Sequence, residues 1–199
     1  MAVLTAIQST SKSKSSTTLS TLFPTNTMSK NKNDLPNDWT YCTLTISTFR
    51  GDTEDLSELE RLKQELIDPD DECPLSFFQH APIPQCLIES CYKCGDAIEK
   101  DNEDECGYRY LHEFTKKEWG TPFDADSVIL AEGLEDNTLE YTFRTLDGFP
   151  SSWLQDLSVD FPHLIFDLDC VNEMELFDSF SMTFLDGDEI DHRFHKKQK

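Results

Sequence analysis

The chain has 199 residues, with 17 Lys plus Arg against 39 Asp plus Glu and a net charge of −22 at pH 7. That balance works against binding a nucleic-acid backbone or an anionic membrane surface, both of which need clustered Lys and Arg. Apolar runs such as Val128–Ala131 and Leu164–Phe166 fall far short of the roughly 20 residues that span a bilayer, whereas 37% hydrophobic residues including 14 Phe suffice for a core.

Residues 1–38 hold 14 Ser or Thr and four Lys against two acids, with no apolar periodicity. They are expected to be a disordered tail. An acid-poor, Ser-rich leader also has the composition of an organelle transit peptide, against which stands the lack of any Arg before Arg50; Met28 is an alternative start. No apolar run of a secretory signal follows Met1, so the expected compartment is intracellular, the cytoplasm, with an organelle as the alternative.

Residues 39–190 are expected to form one domain. Tyr41–Phe49 alternates, Cys42, Leu44 and Ile46 against Thr43, Thr45 and Ser47, as a half-buried strand does. Asp52 or Thr53 caps a helix lined by Leu56, Leu59, Leu62, Leu66 and Ile67 that stops at Asp68-Pro69. Leu75–Ile83 reads as a weaker extended segment, and Tyr108–Trp119 as a helix stopped by Gly120. Ser127–Ala131 and Thr138–Thr145 are strands, Pro150–Phe161 a helix, Leu164–Cys170 a strand, and Phe180, Met182 and Phe184 mark another. This order predicts an α+β ferredoxin-like sandwich, an antiparallel sheet with helices on one face, plus a cysteine-rich insertion at about 85–107. The open face would carry Thr43, Thr45, Glu140, Thr142, Asp167 and Asp169, a poor surface for stacking RNA bases.

Charge follows the same division. Residues 39–190 carry 36 acids and 9 bases, a net of −27, whereas residues 191–199 carry Arg193, Lys196, Lys197 and Lys199 against Asp191 and read as a basic C-terminal tail.

Pro36–Trp39 followed by Cys42–Ile46, then Phe78–Pro84, Trp119–Ala125, and Phe143–Thr145 ahead of the helix to Phe161-Pro162, resembles the YubB family of plasmid and phage proteins over residues 36–185. The resemblance implies a ferredoxin-like fold and a mobile-element or viral origin, with no activity or catalytic residues to transfer. Its most specific element is Trp119-Gly120-Thr121 before Asp124-Ala125, and with Trp39 these residues are the candidate interaction or structural motif. Trp119–Ala125 reads as a structural turn in which Trp119 and Phe123 bury, with Asp124 the residue there that has functional potential.

Seven cysteines without a secretory signal argue against a disulfide scaffold. Cys91 and Cys94 have the two-residue spacing that lets both thiolates reach one tetrahedral ion, and Cys86 and Cys106 complete a candidate zinc site, with Cys73, His80 or His112 as substitutes. His163, His192 and His195 form no defensible site. Asp70-Asp71, Asp167/Asp169 and Asp186/Asp188 lack the glycine and terminal glutamate of a calcium loop, and no phosphate-cradling glycine loop or nucleophile elbow occurs. The expected function is a non-enzymatic acidic interaction protein that engages a host or viral protein, in particular a basic DNA-binding or defence protein. The alternative is a small metal-dependent enzyme or redox protein using the cysteine cluster.

Overall fold

The computed structural model describes residues 39–70, 72–91, 95–131, 137–172 and 179–195. The tail expected over 1–38 lies outside the described residues, as do Cys94, Lys196, Lys197 and Lys199.

Strand β1 (Trp39–Thr48) buries Cys42, Leu44 and Ile46 and turns Thr43, Thr45 and Ser47 the other way. Helix α1 (Thr53–Leu66) begins where the Asp52 carboxylate accepts from the backbone N–H of Glu54 at 3.0 Å and Asp55 at 3.1 Å, a cap worth about 1 kcal/mol. Leu59, Leu62 and Leu66 face the sheet, while Leu56 is exposed. Asp55 is buried, its carboxylate accepting from the N–H groups of Arg50 at 2.7 Å and Gly51 at 3.0 Å. It ties the β1–α1 turn to the helix, so its burial needs no counter-ion.

The chain continues through α2 (Phe77–His80), α3 (Gln85–Ser90), α4 (Asp96–Cys106) and α5 (Leu111–Phe114), which runs into a π-helical turn (Thr115–Trp119). Then come β2 (Asp126–Leu130), β3 (Thr138–Leu146), α6 (Ser151–Asp160), β4 (Leu164–Asn172), β5 (Ser179–Leu185) and β6 (Asp188–His195). The six strands lie in the order β2-β3-β1-β4-β5-β6, every neighbouring pair antiparallel. Thus β1, α1, β2, β3, α6 and β4 make the ferredoxin-like βαββαβ unit, and the β5–β6 hairpin widens its sheet beyond β4.

Helix α1 packs on β1 and β4, and α6 on β4, β5 and β6. Under them Leu44 stands between Tyr141 and Leu168, and Ile46 between Leu139 and Phe166. Phe77 is fully buried at the centre of an aromatic cluster, 4.7 Å from the Trp153 ring, 6.0 Å from Phe143 and 6.1 Å from Trp119. Each such side chain contributes about 1.5–3 kcal/mol by leaving water.

Three expectations are corrected. Leu75–Ile83 contains the helical turn α2 in place of an extended segment, because the turn is capped by a carboxylate from a distant loop. The helix expected from Tyr108 begins at Leu111, and its second half is the π turn. The basic tail expected over 191–199 is, as far as His195, part of β6; a bulge where Thr183 pairs with Asp191 and Phe184 with Glu189 breaks the alternation that would have marked it.

The hydroxyl of fully buried Tyr141 meets no hydrogen-bond partner among the described residues, and burial pushes its pKa up. Tyr141→Phe removes that desolvation cost and should leave stability unchanged or raise it by up to about 1 kcal/mol in urea denaturation. A loss of more than about 1 kcal/mol would contradict an unpartnered hydroxyl.

Candidate functional site

Three places carry chemistry: the Trp119–Ala125 loop, the cysteines, and the sheet face without helices.

In the loop, the Trp119 ring is fully buried and its Nε1–H donates to the Ala81 carbonyl at 3.0 Å. Gly120 has φ +85°, and a Cβ there would come within 2.5 Å of the Phe149 carbonyl oxygen, so the position takes no larger residue. Thr121 is buried and donates its hydroxyl to the Phe123 carbonyl at 2.6 Å. Asp124 then reaches across to the start of α2. Its carboxylate accepts from the Ser76 hydroxyl at 2.6 Å and from the backbone N–H of Phe77 at 2.7 Å, Phe78 at 3.4 Å and Ala125 at 2.7 Å. Burial raises the Asp124 pKa above the ordinary carboxylate range, and the four donors act against that rise. Both oxygens are consumed in capping α2, so Asp124 is a structural clamp with no lone pair facing solvent chemistry. Phe123, expected to bury, is exposed. Trp39, at the start of β1, lies 4.3 Å beneath the Arg144 guanidinium, which also pairs with Asp126.

Of the four cysteines expected to share a metal, the structure brings two together: Cys86 and Cys106 have their sulfurs 3.0 Å apart where α3 meets the end of α4. Cys91 stands just after α3, and Cys94 lies outside the described residues. Among the described residues no three Cys, His, Asp or Glu side chains gather as a ligand set. The 3.0 Å separation is shorter than the roughly 3.8 Å edge of a tetrahedron with Zn–S of about 2.3 Å. The two thiols are in direct contact, and the Cys106 sulfur also approaches the Asn102 carbonyl at 3.2 Å. Burial, with Cys106 beside it, pushes the Cys86 thiol up to about 11. The substitute ligands lie elsewhere: His80 holds Asp160 at 3.0 Å, and the His112 ring stacks on Tyr110.

A second sulfur pair was not expected. Cys42 and Cys170 oppose each other across β1 and β4, fully inside the core, with sulfurs 3.3 Å apart. Desolvation raises the Cys170 thiol strongly, which keeps that thiol protonated and unreactive.

The helix-free face is built from the residues that alternate outward. Register places Glu140, Thr45, Asp167, Thr183 and Asp191 in one row across five strands, and Thr142, Thr43, Asp169, Ser181 and Arg193 in the next. Thr183 donates its hydroxyl to Asp167 at 2.6 Å, Ser181 donates to Asp169, and Arg193 Nε holds Asp191 at 2.6 Å. A shallow depression of about 350 Å³ lies among Thr45, Asp167, Asp169, Ser181, Thr183, Asp191 and Arg193. Its chemistry is that of fixed acceptors: carboxylates oriented by hydroxyls, suited to guanidinium and ammonium groups. Thr43, Thr45, Glu140, Thr142, Asp167 and Asp169 were readable from alternation, whereas Ser181, Thr183, Asp191 and Arg193 were missed. The alternation of Phe180, Met182 and Phe184 already implied Ser181 and Thr183 on this side.

No family model matches the chain, and no curated protein matches it. Among solved structures, the crystal structure of a protein api92 from Yersinia pseudotuberculosis, under the family model DUF1281, matches with a TM-score of 0.50 and 10% identity, over 82% of this chain and 99% of that one. At that identity the likeness is one of fold. Among the described residues no helix is long and apolar enough to cross a membrane.

Asp124→Ala strands one hydroxyl and three N–H donors and should cost about 2–4 kcal/mol in chemical denaturation; a loss under about 1 kcal/mol would contradict the clamp. For the sulfurs, an added small-molecule disulfide should accept two electrons and two protons from Cys86 and Cys106, leaving one intramolecular bond between them. Peptide mass mapping should find Cys42 and Cys170 reduced under the same conditions. Oxidation of the core pair first would contradict the burial order.

Proposed function

We propose that this chain is an acidic protein-binding module of mobile-element or viral type, and that its helix-free sheet face docks a basic host protein, a DNA-binding or defence protein in chemical class. The carrying observation is the pair of rows across that face, in which Asp167 and Asp169 are held in fixed positions by Thr183 and Ser181. Fixed carboxylates on a body of net charge −27 between residues 39 and 190 imitate the spaced anions of a phosphate backbone better than mobile surface acids do. The sequence resemblance to plasmid- and phage-borne YubB proteins supports the mobile-element assignment.

A second reading rests on the two-residue spacing of Cys91 and Cys94 and on the meeting of Cys86 with Cys106 in the same lobe: the four would hold one zinc ion that pins the α3–α4 lobe, the Cys86 and Cys106 sulfurs moving apart from 3.0 Å to the roughly 3.8 Å tetrahedral edge. Elemental analysis of protein purified under reducing conditions should then give about one equivalent of zinc, lost in Cys91→Ser; no metal would end this reading without touching the first.

The first reading is tested by competition between the full chain and duplex DNA for a panel of restriction and nucleoid proteins. The chain should displace DNA from at least one member, with affinity falling about tenfold or more between 50 and 200 mM salt. Asp167→Asn combined with Asp169→Asn should weaken displacement by about tenfold. No competition across the panel, or undiminished competition by the double variant, would contradict it.

A further inference from the structure

The two edges of the sheet differ. Strand β2 is five residues long, its register with β3 slips between Asp126 and Ile129, and Ser127 has φ +56°, so it offers a broken template for another strand. Strand β6 runs for eight residues, is regular from Asp191 to His195 beyond its bulge at Ile190, pairs only with β5 among the described residues, and leaves Ile190 55% and Phe194 68% exposed. Such an edge, with two large apolar side chains in water, invites a partner strand.

The sequence of β6 says which partner. Reading Asp188-Glu189-Ile190-Asp191-His192-Arg193-Phe194-His195, acids fill the first half and bases the second, with one large apolar residue on either side of His192. When a second copy of β6 runs antiparallel with its centre on His192, Asp191 of each copy stands opposite Arg193 of the other. Ile190, at the bulge that ends this regular stretch, comes up beside Phe194 of the other copy. Sliding the register by two residues places either Asp191 against Asp191 or Arg193 against Arg193, and parallel pairing sets like charges side by side. Cross-strand pairs of opposite charge favour a register and like pairs disfavour it by about 0.2–1 kcal/mol each.

We infer that β6 is a self-pairing edge, and that two copies of this chain join through it into one continuous antiparallel sheet about a two-fold axis at His192. Residues 191–199 carry four bases and one acid, the net-positive end of an otherwise acidic body, so the attraction is local to the contact. Repulsion between the bodies is screened within about 8 Å at physiological ionic strength. The two-fold axis keeps both helix-free faces on the same side, so the acidic rows run on from one copy to the other. The inference stands independently of which partner those rows bind.

Sedimentation velocity of the full chain at about 100 µM should show a dimer. Asp191→Arg and Arg193→Asp each place like charges opposite one another and should weaken self-association at least tenfold. An equimolar mixture of the two variants should form a heterodimer, since each then supplies what the other lacks, and this recovery also shows both to be folded. The double exchange Asp191→Arg with Arg193→Asp should dimerise like the unaltered chain. A monomeric parent chain, single variants as dimeric as the parent, or variants that fail to recover on mixing would each overturn the inference.

Discussion

Strand β1 has neighbours on both sides and so must form two ladders at once, while only one of its faces is offered a hydrophobic cover. The rest of the structure answers to that constraint. Cys42, Leu44 and Ile46 go under α1 and α6, and the registers with β3 and β4 carry the same division outward, Tyr141 and Phe143 on one side, Phe166, Leu168 and Cys170 on the other. Because side chains alternate with a period of two, a one-residue slip in either ladder would put this whole set into water. The residues left on the middle of the opposite face are then hydroxyls and carboxylates, with Tyr41 and Val171 exposed beside them, and their order in rows is inherited from the packing beneath them.

The second constraint is how the long connection between α1 and β2 is held against that core. A one-turn helix such as α2 has too few internal hydrogen bonds to persist alone. It persists because Asp124 supplies the acceptors its N-terminus lacks and Phe77 enters the aromatic cluster. Trp119 closes the same junction from below through its bond to Ala81. The residues that gave the Trp119–Ala125 stretch its distinctive look are thus used up by folding, and functional potential moves to the sheet face and to Cys86 with Cys106.

Much of this was legible before the fold was known, and the rest failed for physical reasons. The α+β ferredoxin-like arrangement followed from alternation in β1, β3 and β4 and from the apolar stripe Leu59, Leu62 and Leu66, all local signals. Helix α2 was not legible because its cap lies 47 residues away in sequence at Asp124. Strand β6 was hidden by its charges and its bulge, which made it resemble a solvated tail. Cys86 and Cys106, two of the four cysteines expected to share a metal, are brought together by α3 and α4 across 20 residues of chain, a meeting that the spacing of Cys91 and Cys94 does not encode. The meeting of Cys42 with Cys170 depends on ladder register across 128 residues of chain, which no local pattern encodes.

The central claim, that the helix-free face is the surface this protein presents to a basic partner, is tested most directly by residue-resolved amide shifts during titration with an arginine-rich peptide. The account predicts saturable shifts centred on Thr43, Thr45, Asp167, Asp169, Ser181 and Thr183, with the acids of α1 and α4 little affected. Shifts spread evenly over all acidic surfaces, or centred on α4, would contradict it.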